Sequence, residues 1–462
     1  MSQMSLTIAI EGCCHGELDN IYSTIDYIQK ENNIEIDLLL CCGDFEAVRC
    51  PADLDSMSVP LKYRNMGTFY KYYTGEKVAP VLTIFIGGNH EAANYLWELG
   101  HGGWAAPNIY YLGFAGVVNF GGIRIGGLSG IYGYHDFYKG HFEAPPFNES
   151  TKRSFYHTRN FEIFQLKQVR RPIEVFMTHD WPNHITDFGD RNKLVRFKPY
   201  LHSDIEKGEL GNPHSEQLIY SLKPDYWFAA HLHCKFAALV PHEQPVSSKE
   251  CDNLSDAKRQ KVETTDKPQK FTKFLALSKC LPGKHFLQVL TLPSSEGDKI
   301  LTYDAEWLSI LKSTHEFYPV TEVKWVKPTQ RLGDRWIFTP TDVEMEDIRK
   351  LFNHDLTIPQ NFVKTVEPFD MAYRPNENPQ TRQFCQKLGI INHFKLKIMT
   401  SQRHSFSMDT EYPCAQESGA YTLYSPTDHF PAISPNQFST HRELQQNMSP
   451  DITAQFPFQG PQ

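Results

Sequence analysis

Ile34-Glu35-Ile36-Asp37-Leu38-Leu39-Leu40-Cys41-Cys42-Gly43-Asp44 (residues 34–44) is an apolar run that stops on a glycine and a carboxylate. A short apolar run bounded by turn residues reads as a buried strand. An acid delivered at the carboxyl end of a strand is how α/β folds build sites. The same construction recurs along the chain. Residues 6–10 run into Gly12-Cys13-Cys14-His15, and residues 81–86 into Gly87-Gly88-Asn89-His90-Glu91. Residues 174–177 run into Thr178-His179-Asp180, and residues 226–230 into His231-Leu232-His233. Leu18, Ile21, Tyr22, Ile25 and Ile28 recur at helical spacing after the first block, and a further helix is expected over 92–99. The reading is α/β, with metal-ligand types gathered in strand-end loops.

Composition agrees with a globular protein: 462 residues, 40% hydrophobic and 22% charged. The net charge of −8 argues against a generally basic nucleic-acid binder but leaves room for a local basic groove. No apolar stretch approaches the ~20 residues of a membrane span, so no membrane partner is expected. The amino-terminal apolar residues read as a strand, not a signal peptide. The 10 cysteines sit in or beside strand-like runs, which favours buried or metal-bound thiol in a reducing compartment. Residues 117–120 and 124–128 flank Gly121-Gly122 as a hairpin. Residues 129–160 are long, aromatic and basic, with Pro145-Pro146 in the middle. Residues 241–270 read as a flexible polar insertion containing Lys258-Arg259-Gln260-Lys261, a solvated charge run or an import signal. Strand character resumes over 274–277, helical patterns return over 343–351 and 380–388, and residues 401–462 are expected to be disordered. The expected division is a catalytic domain over 1–240, then the end of its core and a carboxy-terminal domain over 271–400.

Two divalent ions roughly 3.5–4 Å apart can clamp a phosphate and acidify a water between them. One ligand must then touch both, and Asp44 is the natural bridge. Cys13 and His15 leave one loop two residues apart and can face one ion. Asn89 offers a neutral carbonyl oxygen, His179 and His231 face the second ion, and His233 returns to the first. Any one of these histidines alone reads more readily as a capped surface or core residue than as a ligand; the ordered conjunction of all five blocks carries the metal reading. His90 adjoins Asn89 and is the candidate proton donor to a leaving oxygen, or else a histidine bonding neighbouring backbone. A thiolate ligand is softer than a carboxylate and favours Fe²⁺ or Zn²⁺, with Mn²⁺ as a substitute. It also implies that Cys13 is open to oxidation. Cys14, Cys41 and Cys42 read as packing.

These blocks resemble the calcineurin-like metallophosphoesterase superfamily, whose usual series is Asp-x-His, Gly-Asp-x-x-Asp-Arg, Gly-Asn-His-Glu or -Asp, a histidine, and Gly-His-x-His. Three departures narrow the resemblance: Cys13 in place of the first aspartate, Phe45-Glu46-Ala47-Val48-Arg49 without the second Asp-Arg, and Ala230 before His231. With Gly16-Glu17-Leu18-Asp19, Gly102-Gly103-Trp104, His179-Asp180-Trp181-Pro182, His233-Cys234-Lys235-Phe236 and Thr272-Lys273-Phe274-Leu275, they are similar to the RNA lariat debranching enzyme family. The resemblance covers about residues 5–240 and 271–390. It implies a two-sheet β-sandwich flanked by helices, a smaller carboxy-terminal domain, and hydrolysis of the 2′,5′-phosphodiester at the branch point of excised intron lariats in the nucleus. It places ligand roles on Cys13, His15, Asp44, Asn89, His179, His231 and His233, and the general-acid role on His90. Glu46 and Ser278 stand where the family usually has glutamine and aspartate; neither change is expected to touch a metal ligand.

The resemblance makes 129–160 the lariat-recognition insertion. Aromatic rings stack on splayed bases and basic groups take phosphates, which makes Tyr132, His135, Tyr156 and Arg159 candidate RNA contacts. The alternative is a loop that packs its own aromatics over the sheet. Trp307, Trp325, Trp336, Phe352 and Phe362 offer apolar surface for docking the carboxy-terminal part. Two other classes compete with the whole reading: a metallophosphatase acting on phosphoprotein or nucleotide, and a metal-bearing RNA-binding scaffold without turnover.

Overall fold

The computed structural model describes residues 5–242, 270–294, 298–328 and 335–392. The polar stretch with its Lys258-Arg259-Gln260-Lys261 cluster and the tail beyond residue 401 lie outside the described residues. The described strands are, in chain order, β1 Ser5–Glu11, β2 Leu38–Cys41, β3 Leu82–Phe85, β4 Gly103–Ala106, β5 Ile109–Tyr111, β6 Ala115–Phe120, β7 Ile123–Leu128, β8 Val175–Thr178, β9 Tyr226–Ala229, β10 Phe236–Pro241, β11 Phe271–Ala276, β12 Leu287–Pro293 and β13 Thr302–Tyr303. They form a 6-stranded sheet, ordered β12-β1-β2-β3-β5-β4, and a 7-stranded sheet, ordered β10-β11-β9-β8-β7-β6-β13.

Side-chain alternation explains the layering, because successive residues of a strand face opposite sides. Ile8, Ile10, Leu38, Leu40 and Ile84 of the first sheet meet Val118, Ile125, Val175, Met177, Phe228 and Leu275 of the second. The intervening Ala9, Leu39, Cys41 and Phe85 face outward onto Leu18, Ile21 and Ile25 of the helix Leu18–Asn32. On the far side, Phe176, Trp227 and Phe274 pack on Leu218 and Ile219 of Pro213–Leu222 and Leu308 of Ala305–Thr314. Each sheet is therefore covered on both faces. This is why its parallel strands read as continuous apolar runs.

Three boundaries differ from the sequence expectation. β2 begins at Leu38, because Asn33 takes a left-handed backbone (φ 50°) and Asp37 turns its carboxylate to the Thr7 N–H (2.8 Å). The hairpin β4–β5 and the strand β12 were not anticipated; β12 closes the first sheet antiparallel to β1. The carboxy-terminal part is continuous with the sandwich: β11 and β12 complete its sheets, and Cys385 and Leu388 share a core cluster with Trp227.

A buried ionic knot fastens the last segment. Arg49 donates to Asp53 (2.8 Å) and Glu98 (2.8 Å), all with fully buried side chains, and to Thr365 Oγ1 (2.7 Å). Its guanidinium lies 3.9 Å over the Tyr95 ring. Glu98 also accepts from Tyr373 Oη (2.9 Å). Of the docking aromatics, Trp307 is buried, while Trp325, Phe352 and Phe362 are partly buried. Trp336 is instead 46% exposed, against the expectation.

Candidate active site

β1, β2 and β3 run parallel, as do β8 and β9, so their carboxyl ends open loops along one edge of the sandwich. Backbone bonds knit the loops together. Cys14 N–H donates to Gly43 O (3.3 Å), His15 N–H to Asp44 O (2.6 Å) and Ala230 N–H to His179 O (3.1 Å). His15 (φ 47°), Asp44 (46°), Glu46 (56°), His231 (62°) and His233 (50°) all adopt left-handed backbone. Each such non-glycine residue costs on the order of 1 kcal/mol, and such strain clusters at functional sites. Gly43 and Gly88 are required by close approach. A Cβ at Gly43 would lie 2.3 Å from His179 Nδ1, and one at Gly88 2.2 Å from Asp44 Oδ1.

Donors converge on both sides of Asp44. Cys13, His15, Asp44 and His233 each place a donor atom within 4.8 Å of the others. His15 Nε2 is 3.6 Å from Asp44 Oδ2 and 3.3 Å from His233 Nε2. On the other side, His179 Nε2 is 3.2 Å from Asp44 Oδ1 and 3.2 Å from Asn89 Oδ1. The His231 ring lies 5.1 Å from that of His179, and its backbone N–H donates to Cys13 Sγ (3.2 Å).

Hydrogen bonds select the nitrogen that each ring offers. His15 Nδ1 bonds Glu46 Oε1 (2.9 Å), and His179 Nδ1 bonds the Cys42 carbonyl (2.7 Å). Both partners are acceptors, so Nδ1 donates to them and Nε2 is the nitrogen turned to the pocket; against burial, which lowers both imidazoles, Glu46 and Asp44 raise His15 and Asp44 raises His179. Burial opposes ionisation of Asp44, but His179, His90 and His15 hold its carboxyl well below the usual range. Burial, reinforced by Asp44, pushes the Cys13 thiol up. Burial, with His179 and His15 respectively, holds His231 and His233 neutral. Imidazole nitrogens, a carboxylate and a sulfur turned on one another in a buried pocket form a donor set suited to a cation. The mixed nitrogen, oxygen and sulfur donors therefore fit a pair of divalent ions sharing Asp44.

The half-buried His90 has its backbone N–H on Asp44 Oδ1 (2.9 Å). Its ring stands 5.3 Å from that of His15, in a group with Glu46. Three supporting residues carried no role in the sequence reading. Glu46 is not a predicted ligand but bonds one, His15, directly. Ser278 accepts the Cys13 N–H on its carbonyl (3.3 Å) and donates its hydroxyl to His233 O (3.1 Å). Glu91 takes the backbone N–H of Phe45 (2.8 Å), Glu46 (2.9 Å) and Gly88 (2.8 Å), joining two ligand loops. Burial and Asp44 push its carboxyl up to about 8. Its place in Gly88-Asn89-His90-Glu91 was the available signal. Cys13 itself is fully buried, so the pocket limits its exposure to oxidants.

The insertion divides between the two readings. His135 is exposed beside Tyr134, which is 70% exposed. Tyr156 is half-buried within electrostatic reach of Asp44. Tyr132 is half-buried against Phe137 (5.7 Å) and His214 (5.5 Å). Arg159 is corrected: it is fully buried, bound to Glu143 and to the Asp136 carbonyl (2.8 Å), and cannot reach RNA. Only the closed tertiary structure identifies the carboxylate that claims it.

Comparison with known proteins places the chain. Residues 6–235 match the family described as calcineurin-like phosphoesterase, and residues 269–393 match the lariat debranching enzyme, C-terminal domain. The lariat debranching enzyme of Drosophila pseudoobscura pseudoobscura is 50% identical over 427 residues, covering 86% of this chain and 79% of that one. That of Homo sapiens is 48% identical over 409 residues, covering 86% and 72%. That of Arabidopsis thaliana is 47% identical over 405 residues, covering 86% and 90%.

Proposed function

This chain belongs to the lariat debranching enzyme family, and from that premise we propose how the centre around Asp44 works. The protein is a phosphodiesterase that hydrolyses the branch of lariat RNA, giving a linear product. Its bond is the 2′,5′-phosphodiester. Cys13, His15 and His233 would hold one divalent ion and Asn89, His179 and His231 a second, with Asp44 between the two sets. When bound, the ions polarise the phosphate and acidify a water. Glu46 and the Cys42 carbonyl fix the tautomers of His15 and His179, keeping Nε2 turned to the pocket. His90, anchored through its backbone to Asp44, delivers a proton to the departing 2′ oxygen. The observation that carries this reading is the convergence of Cys13, His15, Asp44 and His233 with His90 adjacent.

The thiol donor favours iron or zinc, with manganese as a substitute, and elemental analysis of purified protein checks that assignment. The exposed face of the insertion, with His135, and the half-buried Tyr156 and Tyr132 receive the branched RNA. Lariats form where splicing occurs, so we assign the protein to the nucleus; imaging that shows it elsewhere would refute that. Against a phosphatase reading, Arg49, the first cation after Asp44, is buried on Asp53 and Glu98 and is not free to take a phosphate.

The test is cleavage of a synthetic branched RNA with Fe²⁺, Zn²⁺ or Mn²⁺. The expected result is scission of the 2′,5′ bond with linear 3′,5′ bonds spared; equal cutting of both overturns the reading. His90→Ala should lower kcat by ~10²–10⁴-fold while metal content and branched-RNA binding persist. A fall in metal content would make His90 a ligand.

A further inference from the structure

A second aromatic and cationic surface borders the centre, and it is not part of residues 129–160. The helix Arg191–Phe197 and the turn after it present Phe197 (61% exposed) and Tyr200 (63% exposed). Lys198 Nζ stands 5.9 Å from the Phe197 ring and 5.6 Å from the Tyr200 ring. Lys284, from the loop between β11 and β12, stands 6.0 Å from Phe197 on the same patch. Arg191 on the same helix is occupied by Asp187 and Glu206, whereas Lys198 and Lys284 have no carboxylate within ion-pair distance among the described residues. Two large exposed rings and two ammonium groups thus gather on one patch.

One loop ties the patch to the metal-binding pocket. The Lys284 loop is tied back through His285, whose carbonyl accepts the Ser278 N–H (2.9 Å). Ser278 in turn bonds Cys13 N–H and the His233 carbonyl.

We infer that this patch, centred on Phe197, Lys198, Tyr200 and Lys284, binds one single-stranded arm of the branched RNA. This rests on the debranching reading and extends it. A branch nucleotide carries phosphodiesters on three sides, so a centre that cuts one bond must lead the other strands away. The insertion offers one surface for this, and the Phe197 patch offers another. Ring faces tolerate any base, and unpaired lysines take the backbone phosphates. The patch therefore reads strand and charge, not sequence.

The test compares two substrates with the same branch: one with arms of several nucleotides, and one whose arms are trimmed to single nucleotides. Phe197→Ala should lower the ratio of kcat/KM, long-armed over trimmed, by about tenfold through KM, as expected for one lost base stack. Lys198→Ala with Lys284→Ala should reduce the slope of log KM against log salt on the long-armed RNA by about 1.4, at ~0.7 per phosphate on a single strand. An unchanged ratio with active protein overturns this inference alone, and an acidic protein partner would then be the candidate occupant. An equal fall on both substrates also overturns it, by making the effect one on the centre. Wild-type protein that cleaves neither substrate overturns the debranching reading and this inference with it.

Discussion

Glu46 bonds a candidate metal ligand from outside the donor set, and the structure makes the consequence measurable. Its Oε1 lies 2.9 Å from His15 Nδ1, with side-chain exposures of 19% for His15 and 10% for Glu46. Glu46→Ala removes the group that fixes the His15 tautomer. Losing such an outer partner lowers metal affinity by ~10–100-fold, or about 1.4–2.7 kcal/mol. The partial exposure lets a water replace the lost acceptor, which places the loss nearer tenfold. Glu46→Gln keeps an acceptor oxygen and loses only the charge. A charge-assisted bond exceeds a neutral one by about 1 kcal/mol, so the expected loss is about fivefold. The assay is Mn²⁺ titration of debranching activity in a chelator buffer, read as the midpoint for each variant. Wild-type affinity in Glu46→Ala would refute the reasoning, because His15 would then need no fixing. So would a Gln variant as weak as Ala, because the acceptor would then be irrelevant.

Arg49→Ala strands two buried carboxylates, Asp53 and Glu98, and should cost about 3–5 kcal/mol in urea unfolding; a loss under 1 kcal/mol would show that the knot relaxes. His214 is stacked on Phe137 (3.7 Å), and burial and then Lys167 hold its imidazole down to about 4. Its folded pKa is depressed, so its contribution is complete above about pH 6.5 and lost as pH falls from there toward 4. After allowance for partial exposure, that loss is about 1–2 kcal/mol. His214→Phe should narrow the gap between melting temperatures at pH 7 and pH 5; an unchanged gap would assign the acid sensitivity elsewhere. Cys13→Asp replaces the soft donor with a hard one and should shift activation from zinc or iron toward Mn²⁺ and Mg²⁺, read from activity in each metal after stripping. An unchanged order of metals would mean that the thiol does not set selectivity.

The strand-end blocks were legible because they are local. Each apolar run, its terminal glycine and its ligand lie within a few residues, and alternation such as Ile8, Ala9, Ile10 already encodes two buried faces. The residues that converge around Asp44 could thus be named before their neighbours were known. Pairing across the fold was not legible. His15 meets His233 across 218 residues of sequence, and Glu46 meets His15 across 31. The proton-bearing nitrogen of each ring, the burial of Arg159 on Glu143 and of Arg49 on Asp53 and Glu98, and the exposure of Phe197 beside Lys284 all depend on the order of strands in the two sheets. The sequence by itself determined which donors arrive at the edge of the sandwich. The tertiary structure decided which of their atoms face the pocket, because a hydrogen-bond partner or a counter-charge is chosen by proximity in space, and chain spacing does not carry that distance.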